Sequence, residues 1–530
     1  MNRILTLIFS ATLTLCFAQE IVVKNSAEYT NQLQNAYWTN PLGQDETGYY
    51  LLREYGPVSN STIVLEKYSP DFKLLFATNI ESTSGTFNDS KLHRYTAMSN
   101  GKIYIFLVGW SKEKQQNSFH VKVVNEDGSV SDRMFELETE PAAGQMRSSN
   151  YSFSFSTDGS KLLVLTEKPF EKGSKETIRL QVFDTDLFSS IWKQDLTLEN
   201  EADRFNINEI VVDNKGTAFL LKDIKISNKE HIYRLLTTGK DFSTSSDINL
   251  QGYGLGQRKM QFDQKGNLLI NGTLVPAGRR NTDWQGIWFF KADPNGKVLQ
   301  NKVDALGAEM LTLVISAKNA QREGYVLGDY VLKDVLLKSD GGVVLLTEEQ
   351  KQSKTPVGQA TPPVYEYSLS YGNALVVSFD AEGNRVWDAV IEKNQAEKTL
   401  DPKIGFGSYA YQLKNDKLYV VWNYMKIFSD PPMHKFRYWI DDKGNRNNID
   451  NIFGKDAFFP TLITVIDKDG NFDFRERTFK SFPLDNLQKN NAFPMAVHPS
   501  LFFTTDKGMV ILSHMPGLEA KRYKFSAISF

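Results

Sequence analysis

A short turn of the form Asp-x-x-Gly returns along this chain, each time between two runs of apolar and β-branched residues. It occurs in VVDNKGTAFLL (211–221), FDQKGNLLINGTL (262–274), SFDAEGNRVWD (378–388) and TVIDKDGNFDF (464–474). In such a turn the Asp carboxylate accepts backbone N–H groups, and Gly takes the position that needs a positive φ. We therefore predict that these aspartates shape hairpins and have no catalytic role.

The turns form two interleaved series, and the interior shows little helical periodicity. Early members of one series lie near Asp71, Gly128 and Asp186, with steps of about 54 to 58 residues. Two hairpins per period give four strands per unit, which predicts an all-β chain folded as a β-propeller of four-stranded antiparallel blades. Seven full sets can be counted, and a remainder of three strands follows. The segment EIVVKN near the N-terminus could supply the missing strand, so we favour eight blades, with seven as the alternative.

We expect residues 1–18 to be a signal peptide and residues 19–530 to be one propeller domain. Two long loop insertions are expected between the second and third strands, 348–372 in blade six and 427–460 in blade seven. A helical candidate, residues 308–323, lies between blades five and six.

The first residues, MNRILTLIFSATLTLCFAQE, carry the features of a secretory signal cut after Ala18. An uncleaved anchor and lipidation at Cys16 remain alternatives. Cys16 is the single cysteine of the chain, so the mature protein is predicted to have no disulfide. The formal net charge of -2 gives no reason to expect nucleic-acid binding, and no later apolar run is long enough for a transmembrane helix.

Four phrases from Asp329 onward carry a resemblance to a known group of proteins. They are DYVLKDVLLKSDGGVVLLTE (329–348), GNALVVSFDAEGNRVWDAVIEKNQ (372–395), SYAY (408–411) and KLYVVWNY (417–424). This region resembles a group of exported, propeller-like proteins of gliding and gut bacteria, with Tyr424 where their pattern has Asp. The resemblance implies the compartment and the fold, and it assigns no reaction and no catalytic residue.

Evidence for metal or catalytic chemistry is sparse. Asp467, Asp469 and Asp473 match part of a calcium loop, but Val465 stands where the first ligand is expected. Calcium therefore stays an alternative to the prediction of no cofactor. The six histidines lack zinc-site spacing, and no nucleophile elbow or nucleotide loop is present. Paired carboxylates from distant blades are left open, since spacing does not reveal them.

Aromatic residues in polar, loop-like settings are our candidates for a recognition surface. The predicted binding residues are Trp284, Trp288, Tyr365, Tyr367, Phe436, Arg437, Tyr438 and Trp439. The alternative is that these rings pack their own loops onto the propeller.

These features favour a noncatalytic binding or scaffold propeller of the bacterial cell envelope, with an envelope or outer-membrane protein as partner and a glycan as an alternative. One variant is an accessory or plug subunit of an outer-membrane translocon resembling the type IX secretion system. Another alternative is an enzyme acting on an envelope or extracellular polymer. Because the last strand is needed to close the ring, we expect no C-terminal sorting module, which favours the periplasm over the extracellular space or the outer-membrane surface.

Overall fold

The structure is a computed structural model that carries side chains. It describes residues 21–27, 29–30, 36–55, 62–80, 83–84, 91–142, 144, 148–169, 171, 173–201, 207–227, 230–280, 282–322, 324–357, 364–399, 405–423, 438–440, 446–448, 461–471, 496–514 and 522–530. Strands are numbered along the chain, beginning with β1 (Val22–Asn25) and β2 (Tyr29–Thr30), which belong to the last sheet. The predicted signal peptide lies outside the described residues.

The first four blades are consecutive antiparallel sheets, and a short extra strand, β7 (Thr83–Ser84), pairs with the second sheet. Their strands are β3 (Ala36–Asp45), β4 (Gly48–Tyr55), β5 (Thr62–Tyr68) and β6 (Leu74–Ile80); β8 (Lys91–Ser99), β9 (Lys102–Ser111), β10 (Gln116–Val124) and β11 (Val130–Pro141); β12 (Asn150–Phe155), β13 (Lys161–Glu167), β14 (Lys175–Asp184) and β15 (Ser190–Glu201); β16 (Ile207–Val212), β17 (Ala218–Lys225), β18 (His231–Thr238) and β19 (Ser243–Ile248).

Among the last four blades, blade six has two added strands, blade seven has three described strands, and β1 completes blade eight. Their strands are β20 (Tyr253–Phe262), β21 (Leu268–Pro276), β22 (Gly286–Ala292) and β23 (Val298–Ala305); β24 (Tyr330–Leu337), β25 (Val343–Val357), β27 (Ala374–Phe379) and β28 (Arg385–Ile391), with β26 (Val364–Tyr371) and β29 (Gln395–Thr399) added; β30 (Tyr409–Lys414), β31 (Lys417–Asn423) and β34 (Thr461–Ile466); β35 (Ala496–Thr505), β36 (Gly508–His514) and β37 (Arg522–Ser529).

Eight hydrophobic clusters in the described residues join the blades into a closed ring. Each cluster combines side chains of two neighbouring blades, and every neighbouring pair has one. The cluster between blades eight and one contains Phe525 and Tyr68. An all-β propeller of eight blades is therefore confirmed.

The ring closes with strands from both ends of the chain, as the sequence predicts. β1 pairs antiparallel with β37, with Val22 opposite Ser529 and Asn25 opposite Ser526. β2 adds a further short pairing with the same strand. This removes the open edge that three strands would leave in blade eight.

Burial within a blade follows strand position. In blade five every residue of β21 except the last is buried, because this strand lies inside the sheet between two neighbouring blades. The outer strand β23 contains no buried residue and mixes exposed and half-buried ones. The second strand of this blade therefore reads as a continuous apolar run and the fourth does not.

The Asp-x-x-Gly turns have the predicted geometry. Asp263 Oδ1 accepts the backbone N–H groups of Lys265 and Asn267, both at 2.9 Å, and Gly266 has a φ of +79°. Asp213, Asp293, Asp380 and Asp467 accept the corresponding pairs of N–H groups in their own turns. These carboxylates are hairpin residues.

The insertion at 348–372, which we expected to be a loop, is largely regular structure. β25 continues to Val357 and pairs with β26, which in turn pairs with β29. We call the three-stranded unit of residues 350–357, 364–371 and 395–399 the blade-six ribbon. It forms because backbone pairing between the two arms satisfies their N–H and C=O groups without an apolar core.

The other irregular segments are only partly described. In the insertion at 427–460, β32 (Tyr438–Ile440) pairs with β33 (Arg446–Asn448). The helical candidate between blades five and six contains two short helices, α1 (Ala308–Leu311) and α2 (Ala317–Ala320). Among the described residues, no helix is both long and apolar enough to cross a membrane.

Candidate functional site

The upper face, defined as the end of each blade where its second strand ends and its third begins, carries a buried polar network between blades six and seven. At its centre Lys393 forms an ion pair with Glu348, and both side chains are fully buried. Ser408 Oγ and Gln350 Nε2 each donate to Glu348 Oε2 at 2.6 Å. Such charge-assisted hydrogen bonds in a buried setting are strong and directional.

The network extends to the start of blade seven through two amide side chains. Lys393 Nζ donates to Gln395 Oε1 at 2.9 Å, and that oxygen also accepts the Ser408 N–H at 2.9 Å. Gln395 Nε2 donates to the Asn423 carbonyl at 2.8 Å. Asn423 Nδ2 donates to the carbonyls of Phe406 and Val497, at 2.8 and 2.7 Å. The end of blade six is thereby tied to blades seven and eight.

Burial and two neighbouring aromatic rings surround the ion pair of Lys393 and Glu348. Burial lowers the pKa of Lys393, and the adjacent Glu348 carboxylate counteracts part of that shift. Tyr371 and Tyr409 place their rings 5.7 Å from the ammonium, and burial raises the pKa of both phenols. Because Lys393 Nζ contacts both Glu348 and Gln395, it acts here as a clamp between β25 and the segment that follows β28.

This clamp holds the base of the blade-six ribbon. Glu348 lies on β25 just before the ribbon begins, and Lys393 and Gln395 lie where the chain leaves blade six after β28 and enters β29. Within the ribbon, Glu397 accepts the N–H groups of Phe406 and Gly407 at 2.8 and 3.1 Å. The ribbon is therefore fixed at both strands that leave the propeller.

Alternation along β26 gives the ribbon two different faces. Tyr365, Tyr367, Leu369 and Tyr371 share one face, since residues two apart in a strand point the same way. Leu369 is buried, and Tyr365 and Tyr367 are half-buried. Lys354 Nζ lies 4.7 Å from the centre of the Tyr365 ring. The opposite face of β26 carries Ser and Glu side chains.

A second polar site lies on the upper face between blades four and five. A cavity of about 640 Å³ is lined by Asp223, Glu230, His231, Tyr253 and Arg279, among others. His231 Nδ1 lies 2.6 Å from Asp223 Oδ1. The cavity combines carboxylates, a histidine and an aromatic ring, which are groups that can bind or act on a polar ligand.

The predicted binding residues are not brought together. Trp284 and Trp288 are both 0% exposed, so the expectation that they lie on an exposed loop is wrong. Trp284 packs against Met310 and Leu311 of α1 and against Leu327, and Trp288 lies between blades four and five. Their polar neighbours in the sequence hide this burial.

The remaining predicted residues divide between the ribbon and the blade-seven insertion. Tyr365 and Tyr367 lie on the ribbon. Phe436 and Arg437 lie outside the described residues, and the structure describes Tyr438 and Trp439 only as parts of β32. A binding role for these six residues stays a prediction.

In the candidate calcium loop, one carboxylate takes part in the hydrogen bonds of the hairpin turn. Asp467 Oδ1 accepts the N–H groups of Asp469 and Asn471, as in the other hairpins. Asp473 lies outside the described residues. No group of three or more His, Cys, Asp or Glu side chains that could hold a metal occurs in the part of the chain that the structure describes.

The polar network was missed as a site by sequence reasoning, although its residues were in view. Glu348, Lys393, Gln395 and Asn423 all belong to the phrases between 329 and 424. The available signal was that Glu348 and Asn423 each follow the apolar run of a strand. Their convergence depends on the pairing of two blades, which no single phrase shows.

Comparison with known proteins gives likeness at the level of fold. No family model matches, and no curated protein matches. The chain is similar to the β-propeller domain of the trilobed protease from Pyrococcus furiosus, with 12% identity, a TM-score of 0.34 and coverage of 71% of this chain and 99% of that one.

Two enzyme structures are also similar. Pyrococcus horikoshii acylaminoacyl peptidase shows 11% identity and a TM-score of 0.36, over 91% of this chain and 58% of the peptidase. An α-L-arabinofuranosidase of Fusarium graminearum shows 10% identity and a TM-score of 0.32, over 61% of this chain and 92% of that one. At these values we base the propeller assignment on the ring of eight sheets and draw no function from the similarity.

Proposed function

We propose that this protein is a noncatalytic binding propeller of the bacterial cell envelope, and that the blade-six ribbon contacts its protein partner. One observation carries the proposal: a fully buried ion pair anchors a ribbon that presents Tyr365 and Tyr367 beyond the blade. A rigid element with tyrosines on one face suits protein recognition, because such rings add contact area at little cost in conformational entropy.

Export supports the envelope as the site of action. The N-terminal residues have the features of a cleaved signal, and the region 329–424 resembles exported propeller-like proteins. We place the mature protein in the periplasm, with the outer-membrane surface as the alternative. Sequencing of the mature N-terminus in a periplasmic extract should begin at Gln19; an uncleaved Met1 would contradict export by this signal.

The binding proposal can be tested by affinity capture from gently solubilised outer membranes. We expect Tyr365→Ala/Tyr367→Ala to weaken capture of the copurifying envelope protein at least about tenfold, which is roughly 1.4 kcal/mol. The matched control is Ser368→Ala/Ser370→Ala, which changes the opposite face of the same strand and should leave capture unchanged. Equal capture by both variants would contradict a role for the tyrosine face.

The blade-seven insertion is the second proposed contact. Phe436, Tyr438 and Trp439 with Arg437 have the composition of an interaction hot spot. Replacing the three rings with Ala should weaken the same capture about tenfold with little change in melting temperature. A large drop in melting temperature with capture unchanged would mean that these rings pack against their own propeller. An accessory role in a translocon resembling type IX secretion would make the partner an outer-membrane subunit of that complex.

A second candidate function is hydrolysis of an envelope glycan at the cavity between blades four and five. The specific observation is that Asp223, Glu230 and His231 line one cavity on the upper face. Two carboxylates at suitable separation are the usual equipment of a glycosidase. Release of reducing ends from purified envelope polysaccharide, abolished in both Asp223→Asn and Glu230→Gln, would favour the enzyme over the binding propeller.

A further inference from the structure

The inner edge of the blade-six ribbon has no strand paired with it among the described residues. We define this inner edge as the backbone of residues 351–357 on the side where β24 pairs with the earlier part of β25. β24 pairs with β25 only as far as Glu349, opposite Tyr330, and the Gln350 N–H donates to the Asp329 carbonyl at 2.8 Å. In the described part of the chain, no strand pairs with this edge beyond Gln350.

The direction of the backbone groups follows from alternation. The Glu349 N–H donates to the Asn373 carbonyl on the outer side, and the Gln350 N–H points to the inner side. β25 pairs with β26 without a register shift from Gln350 to Val357. In an antiparallel ladder successive residues direct their backbone groups to opposite sides. Gln352 and Lys354 therefore direct their N–H and C=O groups to the inner edge.

The position of Pro356 fits this assignment. Pro356 shares the parity of Gln352 and Lys354, so the N–H that it lacks would lie on the inner edge. Proline is tolerated in strands where no ladder bond is needed. The ribbon therefore keeps its pairing with β26 and leaves two donors and three acceptors on the inner edge.

The charge of the inner edge determines which kind of strand can pair with it. Residues 350–357, QKQSKTPV, contain no carboxylate and two lysines, Lys351, which forms an ion pair with Glu349, and Lys354. Every residue from 351 to 357 is exposed. A second copy of this edge would bring four lysines to one pairing, and like charges on facing strands are unfavourable. An extended segment with Asp or Glu side chains gains from the same lysines.

We propose that the inner edge of the blade-six ribbon binds an acidic, extended segment of the partner as an added antiparallel β-strand. This inference rests on the proposed binding function and specifies how the partner is held. Main-chain hydrogen bonds to residues 352 and 354 provide the pairing, and the two lysines select an acidic segment. The buried clamp at Glu348 and Lys393 keeps the edge straight and in place.

The test uses labelled peptides of about eight residues, the length of a typical strand. One alternates Glu and Val, and its counterpart has Lys in place of Glu. With the full-length protein, fluorescence anisotropy should show saturable binding of the acidic peptide and at least about tenfold weaker binding of the basic peptide. Absence of saturable binding by the acidic peptide, or equal binding of both, overturns the proposal.

A backbone variant separates edge pairing from general charge attraction. Gln352→Pro removes an inner-edge N–H that the ribbon does not use, so it should weaken binding of the acidic peptide at least about tenfold. Gln352→Thr keeps the N–H and changes the side chain, and it should bind as the wild type does. Equal affinity of the two variants overturns the proposal.

A charge variant keeps the test decisive if the proline variant does not fold. Lys351→Glu/Lys354→Glu should reverse the preference, so that the basic peptide binds more tightly than the acidic one. An unchanged preference overturns the proposal. Capture of an envelope protein that survives Gln352→Pro would refute this inference and leave the proposed function intact. Peptide binding without any captured partner would refute the proposed function alone.

Discussion

Blades five and six are neighbours with the same four-stranded plan, but they end differently at the upper face. In blade five β21 stops at Pro276, and Thr273 Oγ1 accepts the Gln257 N–H at 3.0 Å. In blade six β25 runs on into the ribbon, and Glu348 lies seven residues after Gly341, as Thr273 lies seven after Gly266. The hydroxyl of one blade is replaced by a buried carboxylate in the other.

The contrast shows what a buried ion pair is suited to do. Trp284 and the two short helices close the upper end of blade five by apolar packing, which stabilises without fixing direction. A buried pair is often no more stabilising than an apolar replacement, since desolvation offsets the attraction. Its hydrogen bonds have defined directions, however. Such bonds can fix the direction in which the ribbon projects from blade six.

Removing one partner of the clamp should have the largest effect on stability. Lys393→Met leaves the buried Glu348 carboxylate with only the more distant Lys333 ammonium, at 3.9 Å, and we expect a loss of about 3–5 kcal/mol in the free energy of unfolding. Urea denaturation at neutral pH measures it. The matched control, Glu348→Leu/Lys393→Met, removes both charges and should recover most of the loss. A single variant within about 1 kcal/mol of the wild type would show that the pair is not a clamp.

The corresponding change in blade five should be milder. Thr273→Val keeps the shape of the side chain but leaves the Gln257 N–H without its acceptor at the bulge between Leu255 and Arg258. We expect a loss of about 1–2 kcal/mol, because a partly buried N–H donor then lacks its acceptor. The same urea titration checks it. A loss equal to that of Lys393→Met would erase the contrast between the two blades.

The same contrast explains how far the sequence could predict this molecule. The turn at Asp263 and the apolar run of β21 are local signals, and they suffice to predict hairpins, blades and the closed ring. The ribbon was expected to be a loop because QKQSKTPV has no apolar alternation; its strand forms by pairing with β26. The burial of Trp284 depends on α1, far along the chain, and the clamp depends on side chains of separate phrases meeting across two blades.

The hairpin aspartates should be among the most tolerant polar positions. Asp380→Asn keeps an oxygen that can accept the two turn N–H groups of Glu382 and Asn384, so it should cost at most about 1 kcal/mol. Thermal unfolding and the capture assay together check it. Loss of a specific activity with the fold intact would mean that this aspartate has a chemical role.

The smallest expected effect is a difference in pH dependence between the two blades. Burial raises the pKa of Glu397 in the ribbon, and the N–H groups of Phe406 and Gly407 offset only part of the shift. Burial would also raise the pKa of Asp263 in blade five, but hydrogen bonds from Asn267 and Lys291 outweigh it and lower that pKa. The two carboxyls therefore affect stability with opposite signs.

For Glu397 the folded pKa lies above the unfolded value of 4.5, so stability is lost as the pH rises from that value through the folded pKa. Glu397→Gln removes the titration, and its stability relative to the wild type should increase between pH 4 and pH 7.

For Asp263 the folded pKa lies below 3.8, so stability is present above that value and is lost as the pH falls through the folded pKa. The wild type should therefore exceed Asp263→Asn most at neutral pH, and this margin should shrink in acid. Urea titrations of both variants from acid to neutral pH measure the two slopes. Slopes of the same sign would contradict the raised pKa of Glu397 or the lowered pKa of Asp263.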